Sequence, residues 1–114
     1  NSRAVIPCSG YYEWKKTENK KIPYYFTKID DQDIFLAGMH DNGQFCVITK
    51  NAEKNVADIH HRQPVILRYA DFTSWFALEH DYTCEYSRYM KIFEVSPQVN
   101  SPRNNYQDNI ERVQ

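Results

Sequence analysis

No stretch of the 114 residues approaches the roughly 18–20 apolar residues of a membrane span. No charged start leads into the apolar core of a secretory signal. Cysteine is scarce and odd in number, with Cys8, Cys46 and Cys84 far apart. Without a CxxC pair, a disulfide scaffold and a zinc site are both disfavoured, and no metal or cofactor is expected. Free thiols suit a reducing compartment, so the expected location is cytoplasmic. A large net charge is also missing. Fourteen Lys+Arg against fifteen Asp+Glu give −1, which excludes a histone-like basic coat. There is no internal repeat and no low-complexity segment.

What is present is ordinary globular composition rich in rings. Hydrophobic residues make up 41%, charged residues 25% and aromatics 15%, whereas disordered chains are poor in aromatics. The length fits a single domain over residues 1–114. Charge is uneven along it. Residues 1–28 hold six cations (Arg3, Lys15, Lys16, Lys20, Lys21, Lys28) against Glu13 and Glu18. Such a stretch is either a solvated lysine-rich turn or a face for a phosphate backbone.

The local pattern predicts an α+β domain in which strands dominate and short helices fill the connections. A strand over Ala4–Ile6 stops at Pro7, and Ser9-Gly10 turn the chain into a second strand at Tyr11–Trp14. Another runs over Pro23–Ile29. Two apolar runs, Ile34–Met39 and Phe45–Thr49, flank Asn42-Gly43, which tolerate the positive φ of a type I′ hairpin turn. Within the second run Cys46 is expected to be buried core. Asn51 is read as capping a helix to about Asp58, and Asp71 a helix to about Leu78 with Phe72, Trp75 and Phe76 inward. A strand is expected at Val65–Leu67, a weak helix over Asp81–Tyr89, a strand at Phe93–Val95 and an extended tail from Ser96.

Three clusters could carry chemistry. In Gly10-Tyr11-Tyr12-Glu13-Trp14, a carboxylate among rings would be partly desolvated and drawn toward acid–base range; equally, it could be an exposed strand residue alternating with buried aromatics. Asp58-Ile59-His60-His61-Arg62-Gln63-Pro64 sits in a connection, where site residues gather. It offers proton transfer and anion contact, or simply a polar loop. Adjacent His side chains diverge on a regular backbone, so they make a poor metal pair. The third cluster, Val95–Asn104, has its backbone fixed by Pro97 and Pro102. Cys8 could be drawn as a nucleophile with His60, although a small buried thiol after Pro7 is the plainer reading.

Taken in order, the clusters resemble the SRAP family (SOS response-associated peptidases, abasic-site-crosslinking proteins). The family pattern has blocks like Arg-Cys-Leu-Ile-Pro-x-x-Gly-Phe-Tyr-Glu-Trp, Ile-His-Asp-Arg-Met-Pro-Val-Ile-Leu and Val-Ser-x-x-Val-Asn-x-Pro-Arg-Asn. They match Arg3–Trp14, Ile59–Leu67 and Val95–Asn104. The resemblance implies a β-rich mixed barrel or sheet, here incomplete. It implies binding to single-stranded DNA with an abasic site, and a thiazolidine link made by an amino-terminal Cys after Met removal. It also implies that Glu13 and His60 are catalytic, that Arg62 contacts phosphate and that Trp14 packs on the DNA. Arg3 and the lysines after Trp14 would add phosphate attraction on grounds of charge.

Three departures stand out: Ala4 for a frequent Cys, His61 for Asp and Gln63 for Met. A family domain is also longer, and its upstream part holds the Cys nucleophile. The chain is therefore expected to be a C-terminal portion, inactive in crosslinking alone. The alternatives are a non-catalytic nucleic-acid-binding or degenerate fragment, and an unrelated thiol hydrolase using Cys8. The first reading expects Glu13 and His60 to face one cleft within about 8 Å. It also expects exposed strand edges that favour a homo-oligomer.

Overall fold

Short runs of β-branched and aromatic residues punctuated by Gly, Pro, Asn and Asp favour strands over helices. A computed structural model, which describes residues 2–80 and 85–100, is accordingly strand-rich. In chain order the elements are β1 (Ser2–Cys8), β2 (Gly10–Lys16), β3 (Lys21–Lys28), β4 (Ile34–Asp41), β5 (Gln44–Val47) and β6 (Thr49–Asn51), then α1 (Lys54–Ala57), β7 (Arg62–Pro64), β8 (Ile66–Leu67), α2 (Phe72–Phe76) and β9 (Met90–Glu94). Single 3-10 turns lie at Tyr69–Asp71, Ser87–Tyr89 and Pro97–Asn100. The architecture is α+β.

Strand β4 organises the first sheet. It pairs with β1 along one side, while its other side is shared by β8 and β5. The handover falls at Ala37, whose N–H donates to Val65 and whose carbonyl accepts from Ile48, both at 2.9 Å. The second sheet has the order β2-β3-β9, and β6-β7 form a small ribbon. Every pairing is antiparallel. Asn42 and Gly43 have φ of 51° and 77°, so the β4–β5 hairpin closes with the expected positive-φ turn.

The apolar run of β4 is continuous because both of its faces are buried. Ile34 and Leu36 join Phe26, Val56, Ile66, Tyr86 and Met90 in one core. Ala37 joins Val65, Leu67 and Trp75 in a second, with Phe35 and Met39 packed against it. This period-two split places the strand between two layers.

Several elements differ from the sequence expectation. β1 runs through Pro7, which an edge strand tolerates because no neighbour needs its missing N–H. Asn51 does not cap α1. It lies in β6, and the helix starts after Glu53. Asp71 precedes α2, but its carboxylate makes no cap bond to that helix; it accepts instead from the Arg68 N–H at 2.9 Å, capping the 3-10 turn before it. It also accepts two bonds from the Arg68 guanidinium, at 3.0 and 2.8 Å. Those bonds hold its carboxyl below the ordinary value. Of the expected inward face of α2, Trp75 is buried and Phe76 is exposed.

Cys46 is exposed, and Phe45 beside it is 68% exposed. β5 pairs with the far end of β4; Val47 at its close packs against the first core, while Phe45 and Cys46 reach solvent. The tail begins with the 3-10 turn at Pro97–Asn100 rather than fully extended chain. Residues 81–84 of the expected third helix, Cys84, and the rest of the tail with Arg103 and Asn104 lie outside the described residues.

Candidate functional site

Glu13 reaches its place through the alternation of β2. Tyr11 and Glu13 share one face, and Tyr12 and Trp14 share the other. Tyr11 stacks flat on Phe26, with centroids 4.8 Å apart and planes 5° apart. Tyr12 leans on Tyr25 at 5.1 Å and on Trp14 at 6.4 Å. Gly10 makes the crossing possible. A Cβ there would lie 2.5 Å from the Phe26 carbonyl oxygen and from the Tyr25 ring. The glycine in this motif is thus demanded by close approach. Glu13 stands two residues beyond Tyr11, where ring cover ends, and its side chain keeps 28% of its exposure.

His60 arrives from the opposite side. Ile59 and His60 both donate backbone N–H groups to the Val56 carbonyl, at 2.8 and 2.9 Å. This irregular turn after α1 brings the imidazole back over β2. His60 Nε2 lies 3.7 Å from Glu13 Oε1. That distance suits an ion pair and is slightly long for a direct hydrogen bond, a common state of acid–base pairs without substrate. His60 Nδ1 lies 3.2 Å from the Arg62 N–H and 3.1 Å from the Arg62 carbonyl. The same backbone therefore offers a donor when Nδ1 is bare and an acceptor when it carries a proton. Nε2 stays aimed at Glu13 in either state, as a proton-transferring imidazole requires.

The pair opens on a cleft of about 690 Å³. Trp14, Lys15, Lys16 and Lys21 line one wall, while Asp58, His60 and His61 line the other. Three ammonium groups against two carboxylates, Glu13 and Asp58, leave a small excess of positive charge that favours an anionic ligand. A smaller pocket of about 280 Å³ lies behind the pair and shares Glu13 and His60 as its wall. Tyr11 lines it. The Tyr11 hydroxyl is buried without a hydrogen-bond partner among the described residues. Burial first, and then the nearby Glu13, Glu53 and Cys8, push this phenol far above its ordinary value, so it stays a neutral donor.

Of the other expected site residues, Arg62 lines the smaller pocket with Glu13 and His60, while Arg3 and Cys8 lie away from the cleft. Arg62 directs its guanidinium away from a free ligand role. Nη1 donates to Asn51 Oδ1 at 2.8 Å, and Nη2 donates to the Thr49 carbonyl and hydroxyl at 3.0 Å each. It clasps β6 to β7. Arg3 does not line the cleft. Its guanidinium lies 4.0 Å over the Trp75 ring, with Nε and Nη1 buried. Cys8 packs against the first core. Burial raises its thiol above the ordinary value; the Gly10 N–H works the other way, and Asp33 adds to the rise. A raised thiol is a poor nucleophile. Among the described residues no group of three His, Cys, Asp or Glu could hold a metal. No helix among them is long and apolar enough to cross a membrane.

Sequence reasoning missed a buried polar pair that ties the residue before α1 to β7. Gln63 is 2% exposed. Its Oε1 accepts from the Glu53 N–H at 2.7 Å, and its Nε2 donates to Glu53 Oε2 at 2.9 Å. Glu53 also accepts from the Ser87 N–H and pairs with Lys50 at 2.8 Å. Burial works against its ionisation, yet the Lys50 and Ser87 contacts win and leave the carboxyl below its ordinary value. The one available signal was a polar Gln at the start of an apolar run, and polarity alone does not reveal a buried partner. The structure also corrects one expectation. His60 and His61 do not diverge, because residues 58–61 are not on a regular backbone. Their rings stack at 4.6 Å with 26° between planes.

Known proteins resemble the chain in sequence and in fold. The chain is 31% identical over 87 residues to the abasic site processing protein YedK of Escherichia coli (strain K12), covering 69% of this chain and 39% of YedK. It is 30% identical over 133 residues to the abasic site processing protein YoqW of Bacillus subtilis (strain 168), covering 97% of this chain and 58% of YoqW. The chain thus spans only part of the length of these relatives. A crystal structure of a protein from Bacteroides thetaiotaomicron shares the fold, with a TM-score of 0.73 at 21% identity, covering 99% of this chain and 57% of that one. The family model for SOS response associated peptidase (SRAP) matches residues 1–102. The chain belongs to the SRAP family.

Proposed function

We propose that this chain binds single-stranded DNA at an abasic site and supplies the acid–base groups for a covalent link to it. The observation that carries this reading is the Glu13–His60 pair, 3.7 Å apart on a cleft lined by Trp14 and three lysines. The relatives named as abasic site processing proteins support it. A ring-opened abasic sugar is an aldehyde. A 1,2-aminothiol adds to it through nitrogen and then sulfur and closes a thiazolidine with loss of one water. Protons must leave the attacking amine and thiol and reach the departing oxygen. Glu13 accepts and returns them, and His60 assists opening of the sugar ring. Removal of an initiator Met would use the same carboxylate. Trp14 stacks on a base and the lysines draw the phosphates. Arg62 and Arg3 serve the scaffold in this reading.

Cys8 is not the nucleophile, because its nitrogen is an amide within β1. The function belongs in the cytoplasm, where free thiols persist. The direct test is fluorescence anisotropy with single-stranded oligonucleotides. A tetrahydrofuran abasic analogue should bind more tightly than intact sequence and lose affinity with salt. Equal, salt-insensitive binding of both would overturn the proposal.

Edge strands add a second expectation. β1 and β2 each have one unpaired side among the described residues. Pro7 and the Trp75 indole, which donates to the Ala4 carbonyl at 2.9 Å, blunt β1. β2 has no proline and carries only the charges of Lys15 and Lys16 as edge protection. Sedimentation should therefore show self-association that grows with concentration, and a clean monomer at high concentration would argue against it.

A further inference from the structure

The His60–His61 stack has a use beyond the acid–base pair, and it rests on the abasic-DNA reading above. An abasic nucleotide leaves the bases on either side of it without a stacking neighbour, and unstacked bases seek aromatic faces. Each acid–base group of the cleft is followed in sequence by a ring: Glu13 by Trp14 on one wall, His60 by His61 on the other. His61 is exposed and lines the cleft. Its ring lies nearly parallel to that of His60 at 4.6 Å, so His60 covers one face and braces the ring, while the exposed remainder can receive a flat partner. The irregular turn at residues 58–61 is what turns both rings the same way.

We infer that His61 is a stacking residue for the base that flanks the abasic nucleotide, opposite the base taken by Trp14. A phosphate contact is the competing role. A phosphate would meet the ring at its N–H edge, across the cleft from lysines that already serve that purpose, and would gain nothing from the stack on His60. A base gains from it directly, because the column His60–His61–base continues the stacking that the missing base interrupted. An Asp at this position, the residue of the family pattern quoted above, offers no ring and repels phosphate. The departure at His61 therefore makes this chain depend on stacking on that side.

The test uses the 114-residue chain and a single-stranded oligonucleotide with a tetrahydrofuran site flanked by 2-aminopurine, placed on each side in turn. Stacking quenches 2-aminopurine. On one side the quench should vanish in His61→Ala and persist in His61→Phe, and on the other side it should be unaffected by either variant. Affinity should fall about fivefold in His61→Ala, the low end for one base on an aromatic ring, and recover in His61→Phe. The salt slope should stay unchanged. A slope lower by about one, with no recovery in His61→Phe, would assign His61 to a phosphate instead. Unchanged affinity and quenching in His61→Ala would also overturn the inference. If the wild-type chain bound neither oligonucleotide, the abasic-DNA reading itself would fall.

Discussion

Glu13→Gln should remove most of the rate acceleration that this chain gives to thiazolidine formation on abasic single-stranded DNA. Free cysteine can serve as the 1,2-aminothiol, so the 114-residue chain can be tested as it stands. The balance is simple. Aldehyde and aminothiol condense to a ring and one water, and the amine and thiol protons pass to the leaving oxygen. A positioned carboxylate handles those protons, and such groups contribute about 10²- to 10⁴-fold. Glutamine keeps the shape of Glu13 and cannot accept a proton. The loss should sit near a hundredfold here, because a free nucleophile is not oriented by the protein. Affinity for the tetrahydrofuran analogue should change little, since His60 remains anchored through Nδ1 to Arg62. Equal rates for wild type and Glu13→Gln would show that the carboxylate takes no part in the chemistry. The site would then be a binding surface only.

Trp75→Ala should be the most damaging single change to stability, costing about 3–5 kcal/mol. Trp75 is 1% exposed and sits in the second core with Ala37, Val65 and Leu67. Truncation empties that layer. It also removes the indole donor from the Ala4 carbonyl on the free side of β1. The Arg3 guanidinium, now resting on the ring at 4.0 Å with Nε and Nη1 buried, would be left over a cavity. Domains of this size hold only about 5–15 kcal/mol in total, so the urea midpoint should drop steeply. Trp75→Phe should lose much less, because a ring remains under Arg3. A loss below about 1 kcal/mol in Trp75→Ala would mean that this layer closes without the indole.

Much of the fold was legible because its signals are local. Asn42-Gly43 between two apolar runs specifies the hairpin through φ alone. The unbroken apolar run of β4 announces a strand covered on both faces, and the structure puts a core on each. Boundaries were less legible. Asn51 is a good cap by type, yet it stands in β6, where its side-chain Oδ1 accepts from Arg62. Phe45 and Cys46 look like core by composition. Their exposure follows from where β5 lies along β4, which periodicity does not encode.

By itself, the sequence determined the strand-rich α+β class, the hairpin, the family and the order of the motif blocks holding Glu13, Trp14 and His60. The class and the hairpin follow from residue type and short spacing, and the family from the resemblance of the ordered blocks. Only the tertiary structure decided where the side chains end. It brings Glu13 within 3.7 Å of His60 across 47 positions of chain. It stacks His61 on His60 and pairs Gln63 with Glu53. It also sets Arg3 on Trp75 and Arg62 on Asn51. The physical reason is common to all of these. A charged or polar side chain has several acceptable partners by chemistry, and the choice is made by which strand lies beside it. That neighbour is fixed by contacts far apart in sequence, so local pattern names the groups and the packed sheets assign their roles.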